Sequence, residues 1–179
     1  IALRIVPPGG EAVASGRPTD HLQADITVDA GRRIRPIPRT LYGTNIEWIF
    51  DGYGLWDAAR GDLNPTLVSL TRDLGVSLIR FPGGVFSDFY HWKNGVGPRG
   101  SRPASPHVPG ADKSPNHFGT DEALQFARLV GGQLLITVNA GTGTPADAAD
   151  WVRYVNGKSP GNPPVTYWEV GNELYGKDD

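Results

Sequence analysis

Residues 133–157 read QLLITVNAGTGTPADAADWVRYVNG. The first seven form a near-continuous apolar run of strand length, the pattern of a strand covered on both faces. Thr144-Pro145-Ala146-Asp147 then supplies a helix start: a capping hydroxyl, proline at the first helical position and an acid at the third. Ala148, Trp151, Val152 and Val155 lie at helical spacing as an apolar stripe, and Gly157 stops it. A buried strand followed by an amphipathic helix is the repeating unit of a parallel α/β fold.

The unit recurs along the chain. Asn64 is expected to cap a helix with Pro65 at its first position, Leu67, Leu70, Thr71 and Leu74 on one face, and Gly75 at its end. VSLIRF (76–81) is the next strand run. Thr120 is expected to cap a second helix, with Asp121 and Glu122 in the first turn where the dipole favours acids, and with Leu124, Ala127 and Val130 facing inward. LYGTNIEW (41–48) and VTYWEVG (165–171) bring the count to four strand runs around three helices.

Two architectures accept this alternation, a doubly wound sheet and a (β/α)8 barrel. A nucleotide-binding doubly wound sheet would carry a Gly-rich phosphate loop after its first strand, and neither GxGxxG nor GxxxxGK[ST] occurs. Polar residues instead gather at the C-terminal ends of all four strands, where a barrel places its site. The fold class read from the sequence is α/β: the N-terminal half of a (β/α)8 TIM barrel over residues 39–179. Residues 1–38 read as a short β segment from an accessory β-sandwich, or a linker, with strand candidates at 2–6 and 22–28. GGEAVASGRP separates those two candidates, and the Pro-interrupted RRIRPIPRT follows them.

Composition narrows the function. The chain of 179 residues carries a formal net charge of −2 without a basic stripe, so no nucleic-acid partner is expected. Cysteine is absent, which excludes disulfides, thiolate nucleophiles and Cys metal sites. No apolar run has membrane-spanning length, so no membrane partner is expected either. There is no Gly-x-Ser-x-Gly elbow and no His/Asp/Glu set at metal-ligand spacing, and the reading calls for neither metal nor cofactor. Methionine is missing even at position 1, so the chain begins after processing or is part of a longer one. Secreted and cytoplasmic locations both fit. The Pro/Ser/Gly-rich stretch PRGSRPASPHVPGADKSPN (98–116) reads as a mobile surface loop.

The strand ends hold Asn45, Glu47 and Trp48; then Arg80, Asp88, Tyr90, His91 and Trp92; then Asn139; and last Asn172 and Glu173. Carboxylates, amides and aromatic faces converging on one rim suit a sugar, whose apolar face stacks on rings while its hydroxyls meet the polar groups. WEVGNE at the end of the fourth strand resembles the acid/base motif of the retaining glycoside hydrolases built on (β/α)8 barrels. LYGTNIEW, LIRFPGGVFSDFYHWKNGVGP, FGTDEALQFARLVGG, ITVNAGTGTPADAADWVRYVNG and YWEVGNELYG resemble, in that order, the α-L-arabinofuranosidase family across roughly residues 40–176.

The resemblance implies roles. Glu173 would be the general acid/base, and Asn172 would hydrogen-bond a sugar hydroxyl next to the reacting carbon. Glu47 would bind further hydroxyls, Trp92 would line the pocket wall, and His91 beside it would reach the ligand. Arg80 would lie beneath the catalytic pair and keep the nucleophile ionised. That nucleophile would come from a late barrel strand, past residue 179. Val85 stands where the family usually carries an amide, a departure that bears on sugar specificity more than on reaction class. Glu169 does not fill the nucleophile's place. Four residues before Glu173 on the same strand face, it lies about 13 Å away at 3.3 Å per residue, against about 5–5.5 Å in a retaining pair. Pairing with an arginine deeper in the barrel is expected instead.

The implied activity is retaining hydrolysis of terminal α-L-arabinofuranosyl groups of plant polysaccharide. Its partners would be a carbohydrate substrate and the remainder of the barrel, with a homo-oligomer left open. Two alternatives remain: another retaining (β/α)8 glycosidase such as an endoglucanase or xylosidase, and a non-catalytic carbohydrate-binding half-barrel. Half a barrel exposes strand edges and an apolar interior. Residues 1–179 alone are therefore expected neither to hydrolyse glycosides nor to stay monomeric; a monomeric and active 19.2 kDa species in size-exclusion and hydrolysis assays would contradict both expectations.

Overall fold

The computed structural model describes residues 2–6, 25–29, 31–158 and 165–176. The chain divides into two compact units, Ile1–Pro38 and Arg39–Asp179. In the first, strands Ala2–Val6 and Asp25–Asp29 pair in parallel, with Ala2 opposite Asp25 and Val6 opposite Asp29. The start of the second candidate strand at 22–24, and GGEAVASGRP, lie outside the described residues. Residues 32–38 run on exposed and without regular structure, as their prolines require.

The second unit is a four-stranded parallel sheet with helices between its strands. In chain order these are β1 (Gly43–Asn45), α1 (Pro65–Asp73), β2 (Leu78–Phe81), α2 (Thr120–Val130), β3 (Gln133–Val138), α3 (Pro145–Gly157) and β4 (Tyr167–Val170). The strands lie side by side in the order of the chain, β1-β2-β3-β4, all parallel. A doubly wound sheet reverses its order at a switch point, whereas a barrel adds each strand beside the last. No reversal occurs among the described strands.

Alternation along the strands separates two faces. Ile79, Phe81, Leu134, Ile136 and Val138 are buried toward the helices. There the indole of Trp151 on α3 meets Phe81 and Trp168 edge-on, and Phe81 meets Tyr90 and Phe118 in the same way. Arg80, Thr137 and Glu169 take the intervening positions and so face the inner side of the curving sheet. Trp48, Trp56 and Trp151 are all buried, which places most of the tryptophans in the packing.

Capping explains the helix starts. Asn64 Oδ1 accepts from the backbone N–H of Thr66 and Leu67, and Thr144 Oγ1 accepts from Asp147 N–H, each just before a proline at the first helical position. Two details differ from the sequence pattern. On α1 the buried residue is Val68, flanked by half-buried Leu67 and Thr71, while Leu70 and Leu74 face solvent. Both stripes have helical spacing, and packing of α1 against α2 selects the one through Val68. On α2, Gly119 holds the capping position and its N–H donates to the Glu122 carboxylate at 2.9 Å. Thr120 lies inside the helix, where its hydroxyl accepts the Trp151 indole N–H at 3.0 Å. The buried face of α2 is Ala123, Phe126, Ala127 and Val130, with Leu124 at its margin.

The stretch 98–116 is pinned rather than free, contrary to its composition. Arg102, whose side chain is 3% exposed, pairs with the 2% exposed Glu122 at 2.9 Å. It also donates to the carbonyls of Gly97, Asn116 and His117. Asn116 donates to Pro103 O and Ser105 Oγ, and Ser105–Pro106 pairs with Lys113–Ser114 as a two-residue ribbon. Arg99 adds a second ion pair to Glu122 and stacks on Trp56 at 3.6 Å. The prolines and glycines mark a loop correctly; the carboxylate that fixes it sits on a helix and is not visible in the loop's own composition. No helix among the described residues is long and apolar enough to cross a membrane.

Candidate active site

Arg80 is the organising side chain of the strand ends. It projects from β2 on the inner face, and all three of its nitrogens are engaged. Nε donates to Glu169 Oε2 at 2.6 Å, Nη1 to Asn45 Oδ1 at 3.1 Å and to Gly83 O at 2.9 Å, and Nη2 to Asn172 Oδ1 at 3.0 Å. Glu169 Oε2 also accepts from Thr137 Oγ1 at 2.7 Å. Asn45, Arg80, Thr137 and Glu169 belong to β1, β2, β3 and β4, so the network crosses the whole sheet. The register makes this possible. Asn45 lies opposite Arg80 and Thr137 opposite Glu169, while Arg80 itself faces Leu135, two residues below Thr137. That stagger lets the guanidinium reach upward to Glu169.

The Pro-Gly-Gly segment after β2 threads between the other polar groups. Gly83 has φ 135°, and a Cβ there would come within 2.8 Å of Glu47 Cγ, so only glycine lets the loop lie against the Glu47 side chain. Gly84 is next to Asn172, whose Oδ1 would be 3.7 Å from an added Cβ. Val85 follows at the surface, 52% exposed. Glu47 also neighbours Tyr53: partial desolvation first, and then the charge of Glu47, push the Tyr53 phenol above its ordinary value.

Asn172 and Glu173 sit on a tight turn after β4. Gly171 has φ 67° and Glu173 φ 46°, both in the left-handed region. A Cβ on Gly171 would meet Leu174 Cδ2 at 2.6 Å and Ala140 Cβ at 2.7 Å. Glu173, as a non-glycine residue in this region, is strained, a condition that persists where the surroundings enforce it and that clusters at functional sites. Part of the enforcement comes from Asp88, 2% exposed, whose carboxylate accepts from Asn172 N at 3.3 Å and from Ala140 N at 3.3 Å. The Glu173 side chain itself is exposed at the rim.

The structure thus gathers Arg80, Asn172, Glu47 and the Glu173 turn around the Pro-Gly-Gly loop. Trp92 and His91 both line a small cleft. Trp92 is 7% exposed, lies parallel on Trp151 at 5.9 Å, and donates its indole N–H to Asp147 O at 2.9 Å. Its short 3-10 turn, Trp92–Gly95, sets the ring against α3 while the residue also lines the small cleft that His91 borders. His91 is exposed and borders a small cleft with Asn139, Thr144 and Asp147. Asp88, seven residues past the end of β2, was named among the strand-end residues but given no role, and Thr137 was not singled out at all; nothing in the local sequence marks Thr137. Asn139 organises its own loop, its Oδ1 accepting from the N–H groups of Gly141, Thr142 and Gly143. Among the described residues, no three His, Asp or Glu side chains are grouped so as to hold a metal ion.

This arrangement, parallel strands in chain order with a polar network at their C-terminal ends, is the N-terminal part of a (β/α)8 barrel. Residues 70–179 match the family described as the alpha-L-arabinofuranosidase 1 domain. A probable alpha-L-arabinofuranosidase C of Aspergillus fumigatus is 35% identical over 174 residues, covering 84% of this chain and 34% of that protein. An intracellular exo-alpha-L-arabinofuranosidase of Bacteroides ovatus is 32% identical over 177 residues, covering 86% and 34%. Among solved structures, an arabinofuranosidase superposes with a TM-score of 0.72 at 30% identity, covering 84% of this chain and 35% of that one. The arabinose complex of the Thermotoga maritima alpha-L-arabinofuranosidase gives 0.67 at 31%, covering 76% and 32%. The chain belongs to the α-L-arabinofuranosidase 1 domain family, and it spans about a third of the length of the curated relatives it matches.

The electrostatics of the network carry a pH dependence. Partial burial pushes the Glu169 carboxyl up, but the hydrogen bonds from Arg80 and Thr137 and the charge of Arg80 outweigh it, and the net direction is down from 4.5. A carboxyl whose pKa is lower when folded stabilises fully above the unfolded value, and that contribution is lost as pH falls through the folded one. Glu169→Gln is therefore expected to reduce the thermal midpoint near neutrality and to flatten the loss of stability below about pH 4. Calorimetric melts at stepped pH check this. An acid limb parallel to that of the wild type would separate Glu169 from the acid sensitivity.

Proposed function

We propose that the complete protein is a retaining α-L-arabinofuranosidase that releases terminal arabinofuranosyl groups from plant polysaccharide, and that this chain supplies the acid/base half of the site. The observation that carries the reading is the strained Gly171–Glu173 turn, anchored through Asn172 to Arg80 in a member of the arabinofuranosidase family. In this reading Glu173 protonates the departing glycosidic oxygen and then deprotonates the attacking water. Asn172 has its carbonyl oxygen taken up by Arg80, so its NH2 group is the donor turned to the sugar hydroxyl beside the reacting carbon. Glu47, backed by the Gly83 loop, accepts from further hydroxyls. Arg80 holds Asn172 and Glu169 in place and contributes positive charge beneath the reacting centre.

The nucleophilic carboxylate comes, in this proposal, from the part of the barrel outside residues 1–179. Glu169 is unsuited to the task because it lies four residues before Glu173, about 13 Å along the strand against about 5–5.5 Å in a retaining pair. A second reading, a retaining xylosidase or endoglucanase, draws on one observation: exposed Val85 offers a sugar no hydrogen bond where the family usually has an amide.

The test uses the complete enzyme with aryl α-L-arabinofuranoside, aryl β-xyloside and cellulose. Preference for the arabinofuranoside is expected, and Glu173→Gln is expected to lower kcat/KM about 10²- to 10⁴-fold with folding retained. Preference for the xyloside or cellulose would favour the second reading, and an undiminished Glu173→Gln enzyme would remove Glu173 from the acid/base role.

A further inference from the structure

The segment after β1 carries a feature that the Arg80 network does not use. Phe50, Asp51, Gly52 and Tyr53 have φ of 49°, 56°, 68° and 54°, followed by Gly54 at 84°. This is a left-handed turn of the backbone, and three of its first four residues have a Cβ, for which the conformation is unfavourable. The turn is held from outside. The Phe50 N–H donates to Ser114 Oγ at 2.8 Å, the Asp51 carboxylate meets His117 Nδ1 at 2.9 Å, and a Cβ on Gly52 would lie 2.9 Å from the Phe118 ring. All three anchors come from residues 114–118, at the end of the stretch pinned by Glu122.

The strain holds two aromatic rings in solvent. Phe50 is 56% and Tyr53 61% exposed, in a chain that buries Trp48, Phe81, Phe118 and Phe126 almost completely. The two rings meet edge-on with centroids 5.7 Å apart, and the Phe50 ring leans on His107 at 5.9 Å. Among the described residues no packing covers these two rings, and backbone strain of this kind clusters at functional sites. The pair also adjoins the rim, since Tyr53 lines one cleft with Asn45, Glu47 and Gly52.

We propose that Phe50 and Tyr53 form a stacking platform for a second sugar ring of the substrate, the ring that bears the leaving oxygen. This inference rests on the glycosidase reading above. A ring whose hydroxyls meet Glu47 is terminal in an enzyme that releases end groups, so any further ring next to it belongs to the leaving group. The C–H face of a pyranose matches the exposed aromatic faces, and Tyr53, in the same cleft as Glu47, sets the platform beside the first ring. The platform would distinguish arabinofuranosyl groups on an oligosaccharide from those on a small alcohol.

The experiment compares two substrates of the complete enzyme, an arabinofuranosyl-substituted xylo-oligosaccharide and methyl α-L-arabinofuranoside. Phe50→Ala is expected to reduce the ratio of their kcat/KM values about tenfold, through KM of the oligosaccharide, and Phe50→Tyr to restore it within about twofold. Phe50→Leu serves the same comparison should the alanine variant not fold. An unchanged ratio overturns the proposal, and so do equal losses on both substrates, which would mark Phe50 as merely structural. If the wild-type enzyme hydrolyses neither substrate, the glycosidase reading falls, and calorimetric titration with the unsubstituted xylo-oligosaccharide decides the platform separately. Weaker binding by Phe50→Ala then upholds it, and equal binding overturns it.

Discussion

A single guanidinium ties the sheet to the site. The Arg80 side chain bonds Asn45 from β1, the Gly83 carbonyl of its own loop, Glu169 from β4 and Asn172 beyond it, and Glu169 in turn holds Thr137 from β3. Arginine is suited to this because its planar fork offers donors in fixed directions; a lysine ammonium is one point charge on a flexible stem. The Arg80 side chain is 23% and that of Glu169 39% exposed, so the pair retains some solvent and its value lies in orientation more than in raw ion-pair energy. Strand register, loop path and the setting of Asn172 become one problem with one solution.

The rim follows from that constraint. The Pro-Gly-Gly loop is drawn in by the bond to Gly83 O, and the absence of a Cβ on Gly83 lets Glu47 lie against it. Asn172 is held twice, by Arg80 at its side chain and by Asp88 at its backbone, and the two holds set the turn in which Glu173 adopts a positive φ. The same economy operates on the other side of the rim. There the Glu122–Arg102 pair, buried under 98–116, steadies the residues that anchor the left-handed turn at Phe50–Tyr53.

Much of this was legible in the sequence, for local reasons. The caps at Asn64 and Thr144, the prolines after them and the apolar strand runs act over a few residues, and they gave the strand–helix succession. The Arg80–Glu169 pair was legible too, because the strand rise set Glu169 about 13 Å from Glu173 on the same face and left an inward carboxylate in need of a partner. The misreadings share a different cause, since each depended on a neighbour distant in the chain. Loop 98–116 looked mobile because its composition is that of a loop, yet Glu122 supplies the charge that fixes it. Val68 and Leu70 offered α1 equally regular stripes, and only contact with α2 decided between them. The left-handed turn had no signal beyond Gly52 and Gly54.

The most direct test of the account is the Arg80→Lys variant of the complete enzyme, assayed on an aryl α-L-arabinofuranoside alongside thermal melting. Lysine keeps the positive charge but cannot hold Glu169, Asn45, Gly83 O and Asn172 together. If Arg80 sets the geometry of the rim, kcat/KM should fall on the order of 100-fold, the scale of an ångström-level misplacement, while the variant still folds cooperatively. A lysine enzyme within about twofold of the wild type would contradict it.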